Sequence, residues 1–331
     1  MKRLIVCCLI LAIAAAGSVL AADSPRGKFP SKPINVIVPY APGGSSDLIA
    51  RAVSKVSPKY FNGQTMVIVN KPGGSSNIGL MELVNAPADG YTIGITNNAM
   101  VTQPLFGNTQ VNYPDVLDAV GQAGTIPYIL AVNAEAPYKT LEEFVAFAKK
   151  AGSVKFAHTG IGNATHITGE RFAMQAGFKM TPVTFDGGSK AVAAVLGGHV
   201  DCTVQTPLDV KELFKAGKLR VLAGAGDKRI DDPLFKDVPT FKEKGFDVKI
   251  ILWQGLGLPI KAPAEAKKIL ADGFKNIMSD QETRKAISDL GLMVDYLGPA
   301  DFKKVWHDEQ VFMKKFMTDT GMFEMIKSQQ K

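Results

Sequence analysis

The feature that most constrains this chain is a short unit in which an apolar strand runs through a glycine turn into the start of a helix. The clearest copy is Val38-Pro39-Tyr40-Ala41-Pro42-Gly43-Gly44-Ser45-Ser46-Asp47, between the apolar run 34–38 and the helical pattern 48–56. Glycine accepts the backbone angles of a tight turn, and Ser and Asp are favoured at helix starts. The first helical turn presents unpaired N–H groups and the positive end of the helix dipole. This stretch can therefore bind a carboxylate or phosphate without a basic side chain.

The same unit recurs three more times along the chain. The turn 71–77 precedes a helical pattern, Gly160-Ile161-Gly162-Asn163-Ala164-Thr165-His166 follows the strand-like run 156–159, and the turn 185–189 precedes another helical pattern. Most turns of this composition are only turns. In open α/β sheets, however, ligands bind at the carboxyl ends of strands, where such turns gather. We therefore expect several of these loops to line one cleft.

Residues 1–22 have the pattern of a cleaved secretory signal peptide. A basic start, Met1-Lys2-Arg3, is followed by the apolar run 4–16 and by small residues that lead to the first acid, Asp23. A membrane-spanning helix needs about 20 apolar residues, so this run is too short for one. A lipoprotein signal is the alternative, but Cys7 and Cys8 lie inside the apolar run and no cysteine marks the cleavage region. We expect a soluble protein exported to the periplasm.

The mature chain has the pattern of an α/β protein with two lobes. Short apolar runs alternate with amphipathic helical patterns in two successive sets, the second of which covers 154–205. Such alternation is typical of βαβ units on mostly parallel sheets flanked by helices. Two sets with a return predict one lobe from 23–124 and 227–331 and a second lobe from 125–226. Small-molecule sites favour the cleft between two such lobes.

The composition indicates neither a nucleic-acid partner nor a disulfide framework. Removal of the leader leaves Cys202 as the only cysteine, so we expect a monomer with a free thiol. The formal net charge is +7, of which Lys2 and Arg3 carry two charges. The remaining lysines form scattered pairs, such as Lys149-Lys150, which are typical of solvated helix faces rather than of a nucleic-acid stripe. This modest positive excess fits weak steering of an anionic ligand.

Reactive groups in catalytic patterns are scarce, which favours binding over catalysis. No two of the four histidines have the i, i+4 spacing of a helical zinc site, and no Cys-x-x-Cys occurs. A Gly-x-Ser-x-Gly elbow and a phosphate-binding P-loop are also missing from the sequence. The segment Gly160-Ile161-Gly162 starts like a dinucleotide fingerprint, but Thr165 replaces the third glycine. We predict neither a metal nor a cofactor, and no enzymatic activity.

Four further residues are candidates with two readings each. His166 either packs its loop or donates a hydrogen bond to a ligand anion. Asp201 either binds loop amides or faces the cleft. Phe185 and Tyr40 are more often core residues, although either can flank a ligand at the mouth of a loop.

Taken in order, these motifs resemble the Bug family, which are extracytoplasmic solute receptors of tripartite tricarboxylate transporters. The resemblance runs from about residue 29 to 323 and rests on an ordered set rather than on one motif. Its main members are 38–47, 69–79, Asp89-Gly90-Tyr91-Thr92, Gly160-Ile161-Gly162 with His166, Leu196-Gly197-Gly198-His199-Val200-Asp201, 219–228, Val238-Pro239-Thr240 and Trp253-Gln254-Gly255.

The resemblance implies a two-lobed periplasmic-binding-protein fold of the type II Venus-flytrap class, which closes on a small carboxylate without catalysis. The partners implied are a small organic acid and the membrane subunits of the transporter. An exported sensor or enzyme on the same lobes remains the alternative. Two residues depart from the family pattern, since Asn163 stands where Ser or Thr is common and Asp186 where a basic residue is frequent. The predicted ligand-binding residues are Tyr40, Pro42, Gly43, Gly44, Ser45, Ser46, Asp47, Thr159, Gly160, Gly162, Asn163, Ala164, Thr165, His166, Phe185 and Asp201.

Overall fold

The computed structural model describes residues 29–290 and 293–329, and the predicted signal peptide, 1–22, lies outside them. The strands are β1 (Ile34–Val38), β2 (Met66–Asn70), β3 (Thr92–Asn97), β4 (Leu117–Pro127), β5 (Ile129–Asn133), β6 (Ser153–His158), β7 (Lys179–Thr184), β8 (Cys202–Gln205), β9 (Leu219–Gly224), β10 (Ile251–Pro259) and β11 (Met293–Leu297). The α-helices are α1 (Ser45–Val56), α2 (Asn77–Val84), α3 (Ala99–Thr102), α4 (Tyr113–Val116), α5 (Leu141–Ala151), α6 (Ala164–Ala176), α7 (Gly188–Leu196), α8 (Pro207–Lys215), α9 (Ala264–Ser279), α10 (Gln281–Asp289), α11 (Pro299–Asp319) and α12 (Met322–Ser328).

The strands form two sheets, and each sheet is the centre of one lobe. The six-stranded lobe has the order β11-β4-β10-β3-β1-β2, and the five-stranded lobe has the order β7-β6-β8-β5-β9. The two-lobed α/β fold predicted from the sequence is thus confirmed. Each sheet packs its buried residues against flanking helices; in the five-stranded lobe, for example, Val154 and Phe156 share a core with Phe172 of α6.

The sheets are mixed, which corrects the prediction that they are mostly parallel. The pairs β1–β2, β1–β3, β6–β7 and β6–β8 are parallel, as the βαβ pattern indicated. The other strand pairs are all antiparallel. They are β3–β10, β10–β4 and β4–β11 in the six-stranded sheet, and β8–β5 and β5–β9 in the five-stranded sheet. The chain passes between the lobes through β4 and β5 and again between β9 and β10, so these strands do not have the crossover helix that makes neighbours parallel.

The strand β10 is absent from the sequence prediction because glycines interrupt its apolar pattern. A Cβ atom on Gly255 would lie 2.3 Å from the carbonyl oxygen of Gly121 and 2.4 Å from the Phe302 ring. On Gly257 it would lie 2.9 Å from the Thr96 side chain. Here glycine marks close packing inside a sheet rather than a turn.

The exact limits of the two lobes remain a prediction. The predicted boundary at 124–125 falls inside β4, which stays paired with β10 as far as Pro127. After β9, Phe235 stacks on Phe214 of α8 at 5.1 Å and Phe241 lies 4.8 Å from Phe172, measured between ring centroids. This packing favours a second boundary later than the predicted 226–227, close to the start of β10.

Candidate ligand-binding cleft

A small cavity lies between the two lobes, at the carboxyl ends of their parallel strands. Its volume is about 40 Å³, which holds only a few waters because each needs at least about 10 to 15 Å³. A small organic acid therefore requires the cleft to widen. Three of the four glycine turns reach the cavity, as expected from the sequence. The lining residues are Tyr40, Gly44, Ser45, Ser46, Asn97, Tyr128, Thr159, Thr165, Gly188, Gln205, Thr206, Asp209 and Leu252.

The start of α1 faces the other lobe across the cleft. Gly44 is the N-cap residue and provides no side-chain cap, so the first N–H groups of the helix point outward. The N–H of Ser45 donates to Asp209 Oδ1 at 2.9 Å, and Asp209 belongs to the five-stranded lobe. The helix start thus binds a carboxylate supplied by the protein itself, an interaction that the N–H groups and the dipole of a helix start favour.

The start of α6 contributes hydroxyl groups to the cavity. The Thr165 hydroxyl accepts the N–H of Thr159 at 3.1 Å and lies 2.9 Å from the Thr159 hydroxyl. Asn163, the N-cap residue, donates from Nδ2 to the carbonyl of Thr159 at 3.0 Å and accepts at Oδ1 from Gln103 of the six-stranded lobe at 2.7 Å. Asn163 therefore fixes the loop and connects the lobes, while the two threonines face the cavity.

The start of α8 supplies the acidic side chain of the cavity. Thr206 and Asp209 form a capping box, in which Thr206 donates its N–H and its hydroxyl to Asp209 Oδ2 at 3.2 and 2.6 Å. Asp209 is partly exposed, but protein atoms surround its carboxyl group closely. This burial raises the pKa of Asp209, and the hydrogen bonds from Thr206 and Ser45 offset the increase only in part. No Lys, Arg or His is among the residues that line the cavity.

Two tyrosines close the cavity from the six-stranded side. The Tyr40 hydroxyl bonds to the side chain of Asn97, with distances of 3.2 and 3.3 Å, and burial raises the pKa of this phenol. Burial raises the pKa of Tyr128 well above its ordinary value, and its hydroxyl has no hydrogen-bond partner in the described part of the chain. Both phenols therefore stay neutral, and the Tyr128 hydroxyl can donate a hydrogen bond to a ligand.

Of the predicted site residues, six line the cavity: Tyr40, Gly44, Ser45, Ser46, Thr159 and Thr165. Three residues of the first turn do not. Pro42 and Gly43 are exposed, and Gly43 has a φ of 84° that a turn requires of glycine. Asp47 turns to the outer side of α1, where it accepts from the Gly43 N–H and from Arg51 Nε, both at 2.9 Å. These three residues shape the loop without reaching the cavity.

The glycines of the turn 160–166 pack against the opposite lobe. A Cβ on Gly160 would lie 2.6 Å from the Cβ of Ser75, and one on Gly162 would lie 2.6 Å from the Phe106 ring. Ser75 belongs to the turn 71–77, the one glycine turn of the four that does not line the cavity, which therefore packs behind the loop 160–166. Ala164 begins α6 and is buried beside this loop.

The remaining predicted residues lie away from the cavity. His166 is fully buried, accepts the Gly162 N–H at Nδ1 at 3.2 Å, and has its Nε2 3.5 Å from Glu170. Phe185 packs on the apolar core of the five-stranded lobe.

Two acids of the five-stranded lobe also lie away from the cavity. Asp201 accepts the Lys155 N–H at 2.7 Å and precedes β8, so it lies at the end of the sheet opposite to the cleft. Asp186 is exposed and pairs with Lys190 at 3.2 Å. For His166 and Asp201, the packing role is the one that the structure shows.

Sequence reasoning missed seven residues that line the cavity. One signal was available, because Thr206 and Asp209 have capping-box spacing directly after a strand. Tyr128 and Leu252 belong to crossing segments whose position depends on the whole fold. The missed residues are Asn97, Tyr128, Gly188, Gln205, Thr206, Asp209 and Leu252.

The fold and the interlobe cleft define a solute-binding receptor of the periplasmic-binding-protein class. A solved periplasmic transporter structure is 31% identical and aligns with a TM-score of 0.82, covering 88% of this chain and 97% of that one. The periplasmic binding protein BugD shares the fold with a TM-score of 0.83 at 23% identity, covering 88% of this chain and 99% of BugD. Within the described ranges, no helix is long and apolar enough to cross a membrane, and no cluster of three or more side chains is suited to hold a metal ion.

The family model for the tripartite tricarboxylate transporter family receptor matches residues 49–322. A curated relative, the UPF0065 protein in the gbd 5' region of Cupriavidus necator, is 30% identical over 288 residues, which cover 85% of each chain. The chain belongs to this receptor family, whose members are binding proteins rather than enzymes.

Proposed function

We propose that this protein is the extracytoplasmic receptor of a tripartite tricarboxylate transporter and that it captures a small carboxylate between its lobes. The observation that carries the proposal is the meeting of the α1, α6 and α8 starts at one cavity that no Lys, Arg or His lines. Helix starts stabilise an anion through N–H groups and the helix dipole. Two structures of the same fold bind such ligands: Rhodopseudomonas palustris MatC with malate, at 23% identity, and an R. palustris protein with adipate, at 22%.

The proposed contacts of the ligand carboxylate are neutral donors on both lobes. The N–H groups of Ser46 and Asp47 have no intrahelical partner, since they lie in the first turn of α1. Across the cleft, the Thr165 hydroxyl lies in the first turn of α6. Each hydrogen bond to a charged group contributes about 1.5 to 3 kcal/mol. Three or four such contacts are enough for micromolar affinity, which corresponds to about 8 kcal/mol, after the cost of association.

Closure of the lobes belongs to the same proposal. The Ala41 N–H donates to the carbonyl of Asp186 at 2.9 Å, and the Ser189 hydroxyl donates to the carbonyl of Pro42 at 3.2 Å. With the Ser45 to Asp209 bond, these contacts hold the two lobes together at the cavity. A ligand that contacts both loops stabilises a closed form with a wider cavity than this one, because it binds that form more tightly than the open form.

Location and partners follow from the family together with the leader pattern. Members of the family are periplasmic binding proteins, and we propose that the predicted signal peptide, 1–22, is removed on export. The mature protein then acts as a monomer with Cys202 as a buried free thiol. It delivers its ligand to the membrane subunits of the transporter.

A thermal-shift screen against small organic acids and amino acids tests the receptor function. A ligand at about a hundred times its dissociation constant adds about 2.7 kcal/mol to the free energy of unfolding. We expect at least one carboxylate to raise the melting temperature and to remain chemically unchanged after incubation. If no carboxylate shifts the melting temperature, or if the binding compound is converted, the proposal is wrong.

A further inference from the structure

The proposed cleft contains an acidic side chain whose charge no basic group neutralises. Asp209 Oδ2 accepts two hydrogen bonds from Thr206, while Oδ1 accepts one from the Ser45 N–H at 2.9 Å. All three donors are neutral. The residues that line the cavity include no Lys, Arg or His, so the carboxylate has no cationic partner at the site. A carboxylate oxygen has two lone pairs, which leaves Oδ1 able to accept a second hydrogen bond.

A second acceptor converges on the same place. Gln205 is 1% exposed and lines the cavity, and its Nε2 donates to the Thr203 hydroxyl at 3.1 Å. Its Oε1 has no hydrogen-bond partner in the described part of the chain. An atom at the Cβ position of Gly188 would lie 2.5 Å from Asp209 Oδ1 and 2.9 Å from Gln205 Oε1. The two acceptor oxygens therefore lie close to each other beside the Gly188 backbone, and both residues line the cavity, so one ligand group with several N–H donors can reach both from the cavity.

The Tyr128 hydroxyl is the counterpart of these acceptors. It has no partner in the described residues and lines the same cavity. As a neutral phenol it can donate to a carboxylate, as can the Thr165 hydroxyl. The cavity thus combines a donor-rich part, formed by hydroxyls and helix starts, with an acceptor pair formed by Asp209 and Gln205.

We propose that the ligand is a zwitterion, a small carboxylate that also carries a protonated amino group, and that Asp209 and Gln205 bind the amino group. This inference rests on the proposed function, since it assigns the ligand class of the same cleft. A dicarboxylate would place two further negative charges beside the Asp209 carboxylate with no cation to offset them. Like charges brought together in an interface weaken binding by about a hundredfold or more. A zwitterion adds no net charge and pairs its ammonium group with Asp209.

The test compares matched acids that differ by one group. The amino acids β-alanine and 4-aminobutyrate, together with L-alanine, are titrated by calorimetry beside propionate, butyrate, malonate and succinate. We expect at least one amino acid to bind the wild-type protein at least tenfold more tightly than the monocarboxylate and the dicarboxylate of the same chain length. In Asp209→Asn, which keeps the shape of the side chain, that preference should fall by about tenfold or more.

The control variant is Asp186→Asn, which removes an exposed acid at the rim that pairs with Lys190. It should keep the wild-type preference. If a dicarboxylate binds more tightly than its amino counterpart and Asp209→Asn leaves the ratio unchanged, the zwitterion inference is wrong while the receptor function stands. If no acid of any class binds, both fail. Should Asp209→Asn not fold, as judged by circular dichroism, the wild-type ratio decides alone.

Discussion

Two carboxylates lie at the start of α1, one on its outer side and one on its cleft side, and their surroundings differ. On the outer side, Asp47 is 2% exposed and accepts from the Gly43 N–H, Arg51 Nε and Asn70 Nδ2 at 2.9 to 3.0 Å. Burial raises its pKa, but these hydrogen bonds outweigh burial and the net result is a lowered pKa. On the cleft side, Asp209 has only neutral donors, and burial leaves its pKa raised.

The difference separates a carboxylate that supports the fold from one that is available to a ligand. Asp47 has a basic partner and a complete set of donors, so its negative charge is used inside the protein. Asp209 lies at a cavity without a cation, and such perturbed groups are frequent in functional sites. Variants on the two sides of α1 should therefore act on different properties, stability on the outer side and ligand binding on the cleft side.

The largest effect is expected from filling the cleft side with Gly188→Val. A Cβ at this position overlaps the ends of the Asp209 and Gln205 side chains. We expect affinity for the carboxylate found in the screen to fall about a hundredfold, and circular dichroism checks that the variant folds. The matched control is Gly298→Val, since a Cβ on Gly298 meets nothing within 4 Å. Calorimetric titration of both variants is the measurement, and unchanged affinity in Gly188→Val would place the site elsewhere.

A substitution on the outer side of α1 should lower stability and leave ligand affinity nearly unchanged. Asp47→Asn removes a charged acceptor from the Gly43 N–H and from Asn70, and we expect a loss of about 2 kcal/mol in the free energy of unfolding. The ion pair with Arg51 adds little to this, because Arg51 is half-exposed. Urea denaturation of the ligand-free protein measures the loss. Ligand affinity of the folded variant should stay within about threefold, and a hundredfold loss of affinity would contradict the division between the two sides.

The smallest effect is a difference in pH dependence between the same two acids. Asp47 has a lowered pKa, so its contribution to stability is present above the unfolded pKa of about 3.9 and is lost as the pH falls through its folded pKa. Asp209 has a raised pKa, so the folded protein binds that proton more readily than the unfolded chain. Relative to Asp209→Asn, the wild type should therefore gain stability as the pH falls from its folded pKa towards about 3.9. Urea denaturation of the ligand-free proteins across this range measures both trends, and an Asp209→Asn difference that does not vary with pH would contradict the raised pKa.

The parts of the fold that depend on local sequence were predictable. The runs before the glycine turns are strands, and the helical patterns that follow are helices; the pattern 48–56 agrees with α1 to within a few residues. The crossing strand β10 was not predictable, because Gly255 and Gly257 are there to let neighbouring strands and the Phe302 ring approach closely. The residues that need this space, such as Gly121 and Phe302, lie far from β10 in the chain. No local sequence pattern therefore predicts that glycine is required here.

The candidate site likewise has residues that a local sequence pattern indicates and residues whose position depends on the whole fold. The glycine turn of α1 and the threonines of α6 carry their own signal, since a helix start offers donors wherever it lies. The position of Asp209 against the start of α1 carries no such signal, because Ser45 and Asp209 are 164 residues apart in the chain and belong to different lobes. The packing of His166 has a related cause: its place in the first turn of α6 is local, but its burial against His158, 4.4 Å away between ring centroids, is set by tertiary packing.

The measurement that tests the central claim most directly is a crystal structure of the protein with the tightest-binding acid from the screen. The account predicts that the ligand carboxylate lies between the lobes, within hydrogen-bond distance of first-turn N–H groups of α1 and of the Thr165 hydroxyl. No Lys or Arg side chain should contact that carboxylate. A ligand bound outside the cleft, or a carboxylate held by a basic side chain, would contradict the account.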